Sequence, residues 1–138
     1  MDTALAAPPL ATRNPGASRA GLWTGRVLTG LIVAFLAVDA VAKVIPLAPV
    51  VEASQKLGIG VDVIRPLGVV LLASTLLHVV RRTQIFGAVL VTAYLGGATA
   101  THVLTGTPFW FPVVMGVLLW VAYGLRSPQL RAFVLSAR

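Results

Sequence analysis

The chain of 138 residues contains no cysteine, and 57% of its residues are hydrophobic while only 11% are charged. In soluble domains about a quarter of the residues are charged. The low charged fraction and the mean hydropathy of +0.91 therefore predict one small domain embedded in a lipid bilayer. The absence of cysteine excludes disulfides, thiol redox chemistry and Cys-ligated metal centres. The basic residues behind the net charge of +7 flank apolar segments and do not form a nucleic-acid-binding face.

Four apolar segments make up most of the chain. Residues 1–22, which precede them, are rich in Ala, Pro and Gly without a helical period, so we predict a disordered cytoplasmic tail there. The apolar segments are too long and too evenly apolar for barrel strands, which favours membrane-spanning helices. These helices are predicted at residues 25–45, 65–80, 84–104 and 109–125. The predicted fold is an all-α membrane protein, a four-transmembrane-helix bundle over residues 23–131 with a short cytoplasmic tail at 132–138.

The first apolar segment also has features of a signal peptide, because Val27–Val38 is followed by the small residues Ala40, Val41 and Ala42. The region before this segment is long for a signal peptide, and Asp39 stands next to the cleavage position. We therefore interpret the segment as a retained first crossing.

Between the first two crossings, the sequence PVVEASQKLG has a helix start signal at Pro49 and a stop signal at Gly58. It predicts a short surface helix whose Val50, Val51, Ser54 and Leu57 share one side. A cap on the bundle is the simpler interpretation of this helix, and a lid over a ligand is the alternative.

Basic residues flank the crossings unevenly. Of the eleven Lys and Arg residues, only Lys43, Lys56 and Arg65 belong to one side, and the other eight lie near the termini or in the turn with Arg81 and Arg82. The positive-inside rule therefore predicts a multi-pass protein of the inner (plasma) membrane, with both termini in the cytoplasm.

Asp39 and Lys43 are the most conspicuous polar residues, because they stand one turn apart in an apolar helix. A charged side chain at the bilayer centre costs about 2.5–3.5 kcal/mol, so the pair requires a structural or chemical reason. The predicted topology places both residues in the outer half of the membrane, at the depth of His102 near the outer end of the third crossing. His78 lies about 24 Å from that depth, so the two histidines are not predicted to hold a haem or another metal together.

The third crossing, QIFGAVLVTAYLGGATATHVL, carries the densest run of small residues, including Gly96 and Gly97. Such residues favour close packing of a neighbouring helix, or accommodate a flat ligand. We hypothesise a polar pocket that opens outward, in which Asp39 and His102 exchange protons with a bound quinone and Lys43 keeps the carboxylate ionised. Tyr94, Gly96 and Gly97 would accept the planar ring. The alternative is an Asp39–Lys43 pair that serves only to satisfy its own charges, with His102 bonded at a helix interface.

Several motifs in a fixed order resemble the DoxX-like family of small four-helix membrane proteins. The resemblance covers residues 23–131, and the sequence departs from it at Leu104, where the family leads us to expect a basic residue. The motifs are WTGRVLTG, FLAVDAVAK, VVEASQKLG, RRT followed by Gly87, YLGGATATH and LRSPQLR.

This resemblance implies a redox-associated, quinone-linked membrane subunit, at most an accessory subunit of a membrane oxidoreductase with a membrane-bound or peripheral redox partner. Two other functions stay open. One is a small proton-coupled exporter acting as a homodimer, and the other is a purely structural or assembly subunit. Lys43 argues against the exporter, because a cation one turn from Asp39 keeps the carboxylate ionised.

Overall fold

The structure is a computed structural model and describes residues 19–136, so most of the predicted N-terminal tail and the last two residues lie outside it. All regular secondary structure in this described part is helical. The helices are α1 (Arg19–Val44), α2 (Ala48–Lys56), α3 (Val61–Val79), α4 (Gln84–Leu104), α5 (Trp110–Arg126) and α6 (Pro128–Ser136).

Three of these helices, α1, α3 and α4, are long and apolar enough to cross a membrane, and α5 is a shorter apolar helix. Large apolar side chains also cover the outside of the bundle, with Phe86 67% and Leu31 65% exposed. Contiguous apolar surface of this kind is unfavourable in water and suits a lipid environment. The prediction of a helical membrane protein is confirmed.

The helix boundaries follow the charge pattern closely, with two differences. The range of α4 matches the prediction of residues 84–104. By contrast, α3 begins at Val61, four residues before Arg65, and Asp62 lies in its first turn, where a carboxylate stabilises the positive end of the helix dipole. Because α1 begins at Arg19, residues 19–22 are helical and do not belong to a disordered tail.

The C-terminal helix α6 is absent from the sequence prediction, which gave a tail at residues 132–138. The local signals for this helix are nevertheless present. The hydroxyl of Ser127 accepts a hydrogen bond from the backbone N–H of Leu130 at 3.3 Å, as an N-cap does, and Pro128 occupies the first helical position.

Four helices form an antiparallel ring in which α1 and α4 each pack against both α3 and α5. The start of α1 lies beside the end of α5, since Gly25 approaches Arg126, and the end of α1 lies beside the start of α3, since Gly68 approaches Lys43. The shared core is formed by Ile32, Leu36, Ala40, Leu71, Ala88, Val91, Leu95, Met115, Leu119 and Ala122.

The two ends of the ring differ, and we name them for their contents. The cavity end contains the end of α1, α2, the start of α3, the end of α4 and the start of α5. The arginine end contains the start of α1, the α3–α4 turn, the end of α5 and α6. Its described arginines are Arg19, Arg26, Arg81, Arg82, Arg126 and Arg131.

Close helix contact occurs at glycines other than those predicted. A Cβ atom at Gly87 would overlap backbone atoms of His78, so α3 and α4 approach each other there as only glycine allows. A Cβ atom at Gly96 or Gly97 would meet no atom within 4 Å. The interpretation that this glycine pair permits close packing is therefore wrong.

Candidate functional site

A cavity of about 590 Å³ opens at the cavity end, between the diagonally opposed helices α1 and α4. The charged side chains, the phenol and the imidazole on its walls come from these two helices, and α3 and α5 contribute apolar walls. Five of the residues predicted to form the site line this cavity, namely Asp39, Lys43, Tyr94, Gly97 and His102. The prediction from topology that Asp39, Lys43 and His102 share one depth agrees with their common place in this cavity. The chemical roles of the five residues stay predictions.

The charges of Asp39 and Lys43 are paired within α1. The ammonium Nζ of Lys43 donates a hydrogen bond to Oδ1 of Asp39 across one helical turn. The side chains keep 16% (Lys43) and 30% (Asp39) of their surface exposed, and both line the cavity. The two interpretations of the pair are therefore compatible, because each charge satisfies the other and still faces a space that a ligand can enter.

His102 is held by the turn that follows α4. Gly106 adopts a left-handed backbone conformation with φ of 66°, and the chain returns so that Oγ1 of Thr107 lies 2.8 Å from Nδ1 of His102. The Thr107 hydroxyl also donates to the backbone carbonyl of His102 at 3.2 Å. The direction of the hydrogen bond between Oγ1 and Nδ1 depends on the tautomer of His102, and Nε2 is the ring nitrogen that lies outside this contact. Thr107 was not predicted, although the glycine just before it is a turn signal.

The glycine pair of α4 divides between two surfaces. Gly97 lines the central cavity, whereas Gly96 lines a separate groove between α4 and α5 together with Thr99. Successive residues of a helix differ by about 100° in direction, so neighbours need not face the same space. The predicted ring shelf of Gly96 and Gly97 is thus reduced to Gly97, and Thr99 does not adjoin His102 in the cavity.

Helix α2 covers the cavity. Val50, Ser54 and Leu57 of the predicted shared side line it together with Pro49, whereas Val51 does not. Ser54 is buried in this contact. Since α2 packs against α1 and α3, it caps the bundle, and its role as a lid over a ligand stays a prediction.

One wall of the cavity is aromatic. Phe35 of α1 and Phe111 of α5 meet edge to face, with ring centroids 5.2 Å apart. Both rings line the cavity, and they are also 45% and 58% exposed on the outer surface of the bundle. This aromatic pair therefore separates the cavity from the surface that a bilayer would contact.

The second histidine belongs to the arginine end. His78 is buried, with Nδ1 3.2 Å from the carbonyl oxygen of Gln84 and its ring 6.4 Å from that of Tyr123. It packs as a core histidine, as predicted. Within residues 19–136, no three His, Cys, Asp or Glu side chains lie close enough together to hold a metal ion.

Comparison with known protein families gives a match over most of the helical ring. The model of the DoxX-like family matches residues 27–122, more than half of the chain, and this range includes Asp39, Lys43, Tyr94 and His102. The resemblance drawn from the motifs is confirmed. No curated protein and no solved structure matches the chain, so the roles of the cavity residues are argued from their geometry.

Proposed function

The chain belongs to the DoxX-like family, and we propose that it is a four-helix transmembrane protein whose cavity end binds a quinone headgroup. In this proposal it is an accessory, redox-associated subunit that acts with a membrane oxidoreductase. The observation that carries the proposal is a single cavity with apolar walls into which an ion pair, a phenol and an imidazole converge.

The fourth crossing in this proposal is α5. Its 17 residues span about 26 Å at 1.5 Å per residue, close to the thickness of about 30 Å of the hydrocarbon core. Trp110 and Arg126 at its two ends are residue types that favour the interface between lipid and water. The described arginines at the opposite end from the cavity support a cytoplasmic arginine end, with the cavity near the outer surface of the inner membrane.

The cavity suits a small, flat and mostly apolar ligand. Its volume of about 590 Å³ lies within the usual range of about 300–1,000 Å³ for small-molecule sites. A quinone ring has two carbonyl oxygens that accept hydrogen bonds, and Lys43, Tyr94 and His102 provide donors on two sides of the cavity. Gly97 leaves room for the ring, because no side chain projects from it.

A bound quinone supplies two-electron, two-proton redox chemistry, with the electrons coming from the partner oxidoreductase. The protein's own part is to position the ring and to move protons. Nε2 of His102 exchanges a proton with a ring oxygen, and Thr107 fixes the orientation of the imidazole. The Asp39 carboxylate, paired with Lys43, lines the same cavity and would favour a positive charge on the imidazole during transfer.

The contact between Asp39 and Lys43 also bears on the exporter hypothesis. A transport carboxylate must bind and release a proton, whereas Oδ1 of Asp39 already accepts a hydrogen bond from the ammonium of Lys43, which disfavours the exporter. The hypothesis of a structural or assembly subunit predicts instead that Asp39 and Lys43 can be replaced together by apolar residues without loss of function.

The test uses the two adjacent glycines of α4 as a matched pair. A leucine at either position meets no atom at Cβ, yet Gly97→Leu fills the central cavity and Gly96→Leu does not. We expect the purified Gly97→Leu protein to lose at least tenfold in affinity for a short-chain ubiquinone analogue, measured by calorimetry in detergent, and Gly96→Leu to keep it. Equal affinity in both variants and in the unchanged protein would reject the cavity as the quinone site.

The acid-base role is tested separately with Asp39→Asn, in membranes where the oxidoreductase partner is present. A slower quinone reduction with unchanged quinone affinity is expected if Asp39 assists proton transfer. Unchanged turnover would restrict Asp39 to its ion pair with Lys43.

A further inference from the structure

A second large concave surface lies outside the ring, between α4 and α5. This α4–α5 groove has a volume of about 890 Å³; it shares Leu95 and Pro112 with the cavity but is lined by none of the cavity's polar side chains. Its floor is made by residues with short side chains, and Trp120 forms part of its wall. The residues used below are Thr92, Gly96, Thr99, Trp120, Gly124 and Arg131.

The polar atoms of the groove walls are satisfied within the protein. The hydroxyl of Thr92 donates to the carbonyl of Ala88 at 2.7 Å and accepts from the indole Nε1 of Trp120 at 2.9 Å. Thr99 likewise donates to the carbonyl of Leu95 at 2.8 Å. The walls therefore offer apolar surface to an occupant and select against a polar molecule along the length of the groove.

A cation stands at one end of the groove. Arg131 lines it from α6, and its Nε atom is buried with no hydrogen-bond partner among the described residues. Within the same part of the chain, the Nε and Nη2 atoms of Arg126 are also buried without partners. The described part of the arginine end contains no Asp or Glu, so these cations have no acidic neighbour there. Partly buried guanidinium groups without a described counter-charge favour an anionic ligand.

We propose that the α4–α5 groove binds an anionic phospholipid, with an acyl chain along the helices and the phosphate group at Arg131. The geometry matches this shape. From Pro112 to Gly124 the α5 wall extends about 18 Å, and one leaflet of the hydrocarbon core is about 15 Å deep. When α5 crosses the bilayer, Arg131 at the cationic end of the groove lies at the level of the lipid headgroups.

A second copy of the chain fits the groove less well. Two copies in one membrane share the same orientation, so a twofold contact along α4 and α5 would bring both Arg131 side chains to the same depth, where they repel each other. A lipid phosphate at that depth neutralises the charge instead. The charges of the groove therefore favour the lipid.

The headgroup contact is tested by titrating the purified protein in detergent with phosphatidylglycerol and with phosphatidylcholine of the same acyl chains, and counting bound lipids by native mass spectrometry. Arg131→Gln should weaken phosphatidylglycerol binding about tenfold, the loss of one charge-assisted contact, and weaken phosphatidylcholine binding less, because the choline cation partly offsets the phosphate charge that both lipids carry. The matched control is Arg82→Gln, which removes an exposed arginine from the same end and should change neither affinity.

The acyl-chain contact is tested by filling the groove. Gly96→Leu and, as a second variant, Gly124→Leu each project into space where Cβ meets no atom within 4 Å. Both should lose binding of the two lipids while keeping the quinone affinity of the unchanged protein, and Gly97→Leu should do the reverse. The lipid proposal and the quinone proposal can therefore fail independently.

Three results would overturn the lipid proposal. Competition by inorganic phosphate at the affinity of phosphatidylglycerol would indicate a free-anion site. A dimer of the unchanged protein that dissociates in Gly96→Leu would make the groove a contact between copies. Unchanged phosphatidylglycerol affinity in Arg131→Gln, in a protein that melts at the unchanged temperature, would remove the headgroup contact.

Discussion

The two ends of the helical ring carry opposite kinds of electrostatics. At the cavity end, three acidic residues face three basic ones in the described chain, and an ion pair lines an enclosed space. At the arginine end, arginines accumulate without any described acid. The cavity-end residues are Asp39, Glu52, Asp62, Lys43, Lys56 and Arg65, and the arginine-end residues are Arg19, Arg26, Arg81, Arg82, Arg126 and Arg131.

This difference separates two tasks that a small membrane protein must perform. A balanced end can hold polar side chains beside a neutral ligand, because its acids and bases are equal in number and Asp39 is paired with Lys43. An unbalanced end depends on its surroundings for counter-charges, which anionic lipids of the cytoplasmic leaflet would provide in the proposed orientation. His102 and His78 follow the same division, since the first borders the open cavity and the second is packed in the core.

The first prediction tests whether the two ends face opposite sides of the membrane, and its effect is all or none. The chain has no cysteine, so single replacements can be labelled cleanly. A membrane-impermeant maleimide added to intact cells should label Gln55→Cys in α2 and spare Arg82→Cys. Inside-out vesicles should reverse the pattern. Labelling of both positions from one side would break the comparison.

The second prediction concerns the tight contact of α3 and α4 at the arginine end. In Gly87→Ala, the new methyl group would overlap backbone atoms of His78, which cannot rotate away as a side chain can. We expect a destabilisation of about 3 kcal/mol, the upper part of the usual range for overpacked cores, seen as a lower unfolding temperature in detergent. Unchanged stability would mean that the two helices separate easily at this point.

The third prediction concerns the charge balance of the cavity end. Lys43→Met leaves the partly buried carboxylate of Asp39 without its partner. The expected loss is about 2 kcal/mol, below the figure of about 3–5 kcal/mol for fully buried pairs because both side chains keep some exposure. The double variant Asp39→Leu with Lys43→Met should recover most of this loss in chemical unfolding. A double variant as unstable as the single one would show that the pair does more than neutralise itself.

The fourth prediction has the smallest expected effect and again replaces a glycine of α4 by alanine. Gly97→Ala should raise stability by up to about 1 kcal/mol, because alanine is the better helix former and the added Cβ meets no atom. Opposite signs at positions 87 and 97 would sharpen the contrast between a packed end and an open one. A loss of stability at Gly97 would indicate that the cavity closes in the membrane.

Sequence patterns locate the helices well and their rotations poorly. The range of α4 follows directly from a stretch without charges, whereas the start of α3 is predicted four residues late, because Asp62 is assigned to the connection outside the membrane and Arg65 to the start of the crossing. The common depth of Asp39, Lys43 and His102 could be predicted by counting residues along antiparallel crossings. The rotation of a helix about its axis could not be predicted in this way, since α4 is apolar on every side.

The adjacent glycines show this limit most clearly. When all faces of a helix are apolar, no amphipathic pattern distinguishes the inside from the outside. Gly96 and Gly97 therefore looked equivalent in the sequence, and only the packing of Leu95 and Val91 into the core assigns them to different surfaces. Thr107 was missed for a related reason, because its contact with His102 depends on the turn at Gly106.

The edge-to-face contact of Phe35 and Phe111 affects the concentration scale on which the affinity of any cavity ligand should be expressed. These rings form the wall between the cavity and the outer face of α1 and α5, so a hydrophobic molecule that passes between them arrives sideways from the bilayer. Its relevant concentration is then a mole fraction in the lipid and not a molarity in water. Apparent affinities measured at one ligand concentration should therefore fall as lipid or detergent is added, since the ligand is diluted within the phase that delivers it.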